Sequence, residues 1–444
     1  MTRAARLFAL VAAAGLAFST ACRESRGVRV VLVTLDTLRY DALRGAPERP
    51  SRMPRTLGRA DRGLRFDAFY ASTSSTQPSH ATLFTALHPW QHGVTRNGQV
   101  LHDDYTTVAE VFRSAGFGTH AVVGSFPVSR RFGFAQGFDE FSDEFDEGDM
   151  PRVWDGSHDP EERYRRSGAR VTDVALAQIE RAREPRQFFW FHYFDAHSPY
   201  GDTGPGPVER PWAVLEAARA GADVREAVAR CHDAYDRDVT FLDGLLERLL
   251  ARLDRDAARF ETHVVLVADH GESFGEDGSL AHGRRLTPGQ IHVPLVVLSP
   301  RVTPAVRRDV AGSIDIPATL FSLARLPQKA AGGRDLTLAP TGPTVAVGMR
   351  RTFEKPNPDF RLDGRVHLLD FDLFYAVGGD AVLYTGNGAG LREMADTTQV
   401  RGEAGERLKS LFGSFEARLK EARHAPEPRE PEVQQALKAL GYVD

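Results

Sequence analysis

Residues 28–35 read VRVVLVTL and run straight into Asp36. A run of β-branched and apolar residues with no polar alternation predicts a strand buried on both faces, as in a parallel sheet. Similar runs follow at 118–124 (GTHAVVG), 188–194 (FFWFHYF), 263–268 (HVVLVA) and 294–298 (PLVVL). Helical patterns lie between them, at 106–115 closed by Gly116, at 171–183, and over a long stretch from 224 to 253. Residues 57–69 read as a weaker helix and a short strand, 138–166 as an irregular acidic and aromatic excursion, and 201–211 as a Gly/Pro-rich loop. This alternation predicts an α/β fold, with a mostly parallel central sheet and helices on its faces.

Beyond residue 329 the alternation weakens. Short strands are predicted at 345–349, 367–374 and 381–384, a charged helix at 405–422, a proline-rich spacer at 424–431 and a last helix at 433–440. The expected organisation is a catalytic domain over 23–329 and a smaller α+β region over 330–444. The chain has 444 residues, 42% hydrophobic and 26% charged, an ordinary globular composition. Its net charge of −4 and the lack of a basic stripe argue against a nucleic-acid partner.

Residues 1–22 carry Arg3 and Arg6 ahead of an apolar stretch over 7–18, and end at Cys22. This reads as a secretory signal, too short for a membrane span. Ala21 before Cys22 resembles a bacterial lipobox, with Ser19 in place of the usual leucine. The expectation is an exported protein, periplasmic or held at the cell envelope through a lipid on Cys22. Cys231 then has no disulfide partner. It falls on an apolar helical stripe with Tyr235, Val239, Leu242, Leu246 and Leu249, so core packing is its expected role.

Three buried runs end in an acid: Asp36, Asp195 and Asp269. Ligands of open α/β sheets bind beyond the carboxyl ends of the strands, and carboxylates gathered there repel one another without a cation between them. The stretch 71–94 (ASTSSTQPSHATLFTALHPWQHGV) adds a hydroxyl. Pro78 marks a helix start, which places Thr76 or Gln77 at the N-cap, at the positive end of the helix dipole. Asp36, Asp269, His270 and the Thr76 hydroxyl form a mainly oxygen donor set, suited to Ca²⁺, Mg²⁺, Mn²⁺ or Zn²⁺. Such an ion would bring the Thr76 alkoxide within reach near neutrality. Each residue has a plainer reading too: a strand-ending Asp as a turn residue, His80 as a packing histidine, Thr76 as a cap. His88, His92, His102, His232, His263 and His292 are assigned to structure.

The segments VVLVTLDTLRYDAL, TQPSHATLFTALHPWQHGVTRNG, GFGTHAVVGSFPV, FGFAQGFDEF, HYFDAHSPY, VLVADHGESFGEDGSLAHG and IHVPLVVLSP, in this order, resemble the sulfatase family of the alkaline-phosphatase superfamily. The resemblance implies an alkaline-phosphatase-like fold. It makes Asp36, Asp269 and His270 metal ligands and Thr76 both ligand and nucleophile. His80, His197 and His282 become catalytic contacts to the transferred group or the leaving oxygen. The spacing favours a single divalent ion, with Asp195, beside His197 and His282, left as a candidate ligand of a second.

The implied reaction is attack by Thr76 on sulfur or phosphorus, followed by hydrolysis of the covalent ester. Sulfatases carry Cys or Ser where Thr76 stands, converted to formylglycine, and usually Arg where His80 stands. The family's second acid after the first strand is Thr37 here, its lysine falls at Ser125 and its next histidine at Pro127. Thr76 cannot become formylglycine, and threonine nucleophiles in this superfamily accompany phosphodiesterases, phosphonate hydrolases and phospho-group transferases. The expected substrate is an anionic ester, a sulfated or phosphorylated glycan, lipid or small molecule. Two rival expectations are a lipid-headgroup transferase and a catalytically silent envelope protein that binds anionic glycans.

Overall fold

The computed structural model describes residues 26–145, 165–327 and 332–341, and, between 344 and 393, strands with short connections. Eight strands form the main sheet: β1 (Gly27–Leu35), β2 (Leu64–Phe66), β3 (Gly118–Val122), β4 (Glu140–Ser142), β5 (Arg186–Tyr193), β6 (Phe260–Ala268), β7 (Leu295–Leu298) and β8 (Ala305–Arg307). Their order is β8-β2-β7-β6-β1-β5-β3-β4. Both pairings of β7 are antiparallel and every other pairing is parallel. The expected mostly parallel α/β sheet is present, and β1 is central in it. Val30, Val31, Leu32 and Val33 are all fully buried, as a strand covered on both faces requires.

Alternate side chains of β5 serve two helix layers. His192 points to one face, where its ring lies 5.0 Å from that of His80 on helix α1 (Thr76–Thr85). Tyr193 points to the other, where its hydroxyl is 3.0 Å from Thr172 Oγ1 on helix α2 (Gly168–Arg181). Helix α2 packs in turn against the long helix α3 (Arg225–Arg255). Cys231 of α3 is buried and free, in the core as expected.

Several boundaries moved for identifiable reasons. The helix expected over 106–115 begins at Val108, because Thr107 caps it and Glu110 reaches back to the Thr107 N–H at 2.8 Å. Helix α2 begins three residues earlier than expected, since Ser167 caps it and the Gly168 N–H is satisfied by Asp195. Within 138–166, read as irregular, Glu140–Ser142 is an edge strand, too short to carry a period. The exposed β8 carries no pattern at all. The single run expected over 367–374 is two strands, Val366–Leu369 and Phe371–Val377, in different sheets. In the C-terminal region four strands pair antiparallel: Val345–Arg351, Phe371–Val377, Asp380–Gly386 and Leu391–Glu393. The signal over 1–22 and the helices over 405–422 and 433–440 lie outside the described residues.

One buried ion pair ties the edge of the core together. Arg29 of β1 is 1% exposed, lies over the Phe260 ring at 4.0 Å, and donates to Gln187 Oε1 and Asp256 Oδ2, both at 2.8 Å. Removing one partner of such a pair leaves a desolvated charge behind. Asp256→Ala is therefore expected to lower stability by about 3 kcal/mol in urea unfolding. A loss below about 0.5 kcal/mol would place this pair with the energetically neutral surface ones.

Candidate active site

The register of the central strands builds the site. Leu35 of β1 stands level with Ala268 of β6, so the next residues, Asp36 and Asp269, emerge side by side on the same face. His270 follows, and the three groups lie close enough to share one ion. All three are buried. Asp36 Oδ2 faces His192 Nε2 at 3.4 Å and Asp269 Oδ1 accepts from the His270 N–H at 2.8 Å. The other oxygens, Asp36 Oδ1 and Asp269 Oδ2, have no hydrogen-bond partner. Burial pushes both carboxyls above their ordinary range, and the charge of Asp36 adds to the effect on Asp269.

Thr76 completes the cluster. Its Oγ1 lies 3.3 Å from His270 Nε2. The His270 Nδ1 is 3.0 Å from the Gly271 carbonyl, which can only accept, so Nδ1 carries the hydrogen and Nε2 the lone pair. That lone pair faces the Thr76 hydroxyl and the two orphaned carboxylate oxygens. Thr76 is the first residue of α1 rather than its cap, which is Ser75. Pro78 sits two residues inside the helix, where the first-turn N–H groups lack helical partners anyway. The helix start is held by Gln77, whose N–H donates to Asn97 Oδ1 at 2.9 Å and whose Nε2 donates to the Pro127 carbonyl at 2.7 Å. Ser79 Oγ donates to the Asp269 carbonyl at 2.6 Å and pins the helix to β6.

His80 has a different setting from the substrate contact expected of it. Its Nδ1 donates to the Thr76 carbonyl at 2.8 Å, and its Nε2 accepts from Thr34 Oγ1 at 3.1 Å. Thr34 Oγ1 accepts in turn from Trp190 Nε1 at 2.9 Å. Both ring nitrogens are used inside the protein, and burial holds the imidazole down to about 3. His80 thus supports Thr76 from behind.

Asp195 also parts from the other strand-ending acids. It lies in the turn after β5, and its Oδ1 accepts from the Gly168 N–H at 2.8 Å, at the start of α2. Burial raises its carboxyl to about 6. It belongs to no metal-ligand cluster found among the described residues.

His197 and His282 do reach the site. The His282 ring centroid is 4.5 Å from that of His270 and 4.8 Å from that of His197. His197 stacks on Phe194 at 4.2 Å, and its Nδ1 donates to the Ser198 carbonyl at 2.7 Å, which leaves Nε2 without a partner. Burial holds this imidazole at about 3. Sequence reasoning passed over three residues here: Thr34 and His192, polar positions inside apolar runs, and Glu272, which stands in the DHGE segment and is fully buried beside His282. A polar side chain in an otherwise apolar buried strand was the available signal.

A family model described as Sulfatase matches residues 29–326. Among curated proteins, the chain is 26% identical over 145 residues to a choline-sulfatase of Rhizobium meliloti, covering 31% of this chain and 28% of that one. It is 34% identical over 68 residues to a phosphoethanolamine transferase of Salmonella typhimurium, covering 15% and 12%. The chain thus matches under a third of the length of these relatives. Among solved structures, a phosphonate monoester hydrolase of Silicibacter pomeroyi superposes with a TM-score of 0.63 at 19% identity, covering 89% of this chain and 96% of that one, so the fold is shared. With the family model spanning two thirds of its length, the chain belongs to the sulfatase family.

Proposed function

We propose that this protein is a metal-dependent hydrolase that cleaves an anionic phosphate, phosphonate or sulfate ester through a covalent ester on Thr76. The observation that carries this reading is the convergence of the Thr76 hydroxyl, the His270 lone pair and two orphaned buried carboxylate oxygens. Two buried carboxylates side by side are costly without a counter-charge, and their donor chemistry fits a divalent ion held by Asp36, Asp269, His270 and the Thr76 oxygen. When bound, such an ion supplies Lewis-acid polarisation and a lowered pKa for the hydroxyl it touches.

The chain's own residues supply the rest. Helix α1 presents the Thr76 oxygen at its positive end, where a developing anion is favoured. His80 holds the Thr76 carbonyl and so fixes the nucleophile's backbone. His197 and His282, whose rings lie beside that of His270, take the role of contacts to the transferred group and the leaving oxygen. The threonine itself favours phosphoryl over sulfuryl transfer. A formylglycine hydrate can expel sulfate with its second hydroxyl, and Thr76 has none. The stretch shared with a phosphoethanolamine transferase supports a second reading, in which an alcohol rather than water resolves the adduct. Export and a lipid anchor at Cys22 fit either reading.

Two outcomes are expected. In EDTA, Asp36→Asn removes one of two facing buried carboxylates, so the urea midpoint should rise, by about 1 kcal/mol in stability. The rise in melting temperature on adding Mn²⁺, Mg²⁺, Ca²⁺ or Zn²⁺ should shrink in the same variant. An unchanged metal response would remove Asp36 from the ligand set. Separately, kcat/KM is to be compared on an aryl sulfate, an aryl phosphate and a diaryl phosphodiester with each metal. Phosphodiester turnover should lead, and Thr76→Ala should cut it by about 10³-fold or more. Dominant sulfate turnover would overturn the phosphoryl preference, and activity that survives Thr76→Ala would overturn the covalent route.

A further inference from the structure

Thr37 follows Asp36 directly and stands in the left-handed region of backbone space, with a φ of 54°. A side chain with a Cβ is disfavoured there, and a β-branched one more so. A residue in such a conformation persists only where its surroundings over-determine it. Here they do. The Asp36 N–H donates to the Tyr193 carbonyl at 2.9 Å, which keeps Asp36 tied to the sheet. The Thr37 hydroxyl donates to the Asp36 carbonyl at 2.8 Å. From the other side, the hydroxyl of Tyr235 on α3 donates to the Thr37 carbonyl at 3.0 Å and accepts from the Arg39 N–H at 2.9 Å.

Tyr235 is fully buried, and its ring lies 5.0 Å from that of Phe274 and 6.1 Å from that of Tyr200. A phenol packed in this way carries its oxygen at a fixed point. Both backbone groups that it meets belong to a buried turn between β1 and the next helix, and buried backbone groups need partners. One hydroxyl thus closes the turn from both ends. We propose that the left-handed turn at Thr37, clamped by Tyr235, sets the spacing at which Asp36 and Asp269 share one divalent ion, an inference that rests on the metal-dependent reading above. Tyr235 acts through the backbone of Thr37 and is a positioning residue. Without the clamp, Thr37 relaxes towards negative φ, and the swing of the chain carries the Asp36 carboxylate away from Asp269. Repulsion between two buried carboxylates favours that move in the metal-free protein. The clamp opposes it before an ion arrives, so the ion meets a preformed pair.

Metal affinity tests this. The full-length protein, dialysed free of metal, is titrated with Mn²⁺ and the Kd read by calorimetry. Tyr235→Phe keeps the ring and removes the hydroxyl. Its Kd should rise about tenfold, the left-handed cost of a residue with a Cβ expressed as an equilibrium constant. Thr37→Gly alone should bind as the wild type does. Added to Tyr235→Phe, it should bring the Kd back to within about threefold, because glycine takes the left-handed turn without that cost. A general loss of stability would not be cured by a glycine at this turn. An unchanged Kd in Tyr235→Phe would overturn the inference, and so would a loss that Thr37→Gly leaves uncorrected. If Tyr235→Phe does not fold, Thr37→Val carries the test. It keeps the β-branch and loses the bond to the Asp36 carbonyl, so its Kd should rise while that of Thr37→Gly does not; equal values in the two would overturn the inference. Wild-type protein that binds none of Mn²⁺, Mg²⁺, Ca²⁺ and Zn²⁺ would sink the metal-dependent reading and the inference with it. Binding that Asp36→Asn abolishes and Tyr235→Phe leaves intact would sink only the role of the turn.

Discussion

Two carboxylates leave neighbouring parallel strands at the same level and on the same face. Asp36 and Asp269 are placed together by the β1–β6 register, not by any loop. Parallel strands bring their carboxyl ends to one edge of the sheet, so a site made there inherits the rigidity of the core. The strands are buried along the stretches that lead up to the acids, and this denies water to the acids that end them. Burial and mutual repulsion then make the pair unstable as it stands, and the surroundings are arranged as if a positive charge belonged between them.

A second layer of polar groups keeps Thr76 in register with that pair. Trp190, Thr34, His80 and the Thr76 carbonyl form one directed chain of hydrogen bonds through the core. Every donor in it meets an acceptor, the condition under which a buried polar network rigidifies rather than destabilises. His192 extends the layer to Asp36, while its own Nδ1 lies 3.3 Å from the Gly124 N–H, which donates to it. The consequence is that strand β5, helix α1 and strand β1 cannot shift separately. A displacement of Thr76 relative to Asp36 would break several bonds that water cannot replace.

Much of this was legible in the sequence. Unbroken apolar runs marked the parallel strands, and their acidic ends marked the edge where the ligands gather. Thr76 stood out through its proline and its hydroxyl-rich approach. What the sequence could not carry was anything set by three-dimensional pairing. His80 looks like a site histidine at i+4 from Thr76, yet its two nitrogens are consumed by groups 4 and 46 positions away in sequence. Glu272 reads as one more acid in a polar segment until the chain turns back and sets His282 against it. The short strands β4 and β8 have too few residues for any period to register.

Asp195 shows why a strand-ending acid is not by itself a ligand. Along β5, Tyr193 stands level with Leu35, so the residue level with Asp36 is Phe194. β5 ends at Tyr193, and Asp195 lies in the turn that follows. Its carboxylate meets the start of helix α2 instead of the metal-type cluster, and a helix N-terminus is a good place for a negative charge. The same motif, an apolar run ending in Asp, thus places Asp36 and Asp269 in one cluster and makes Asp195 a helix anchor. Among the described residues Asp195 joins no group placed to share an ion, and its Oδ1 is held instead by the Gly168 N–H.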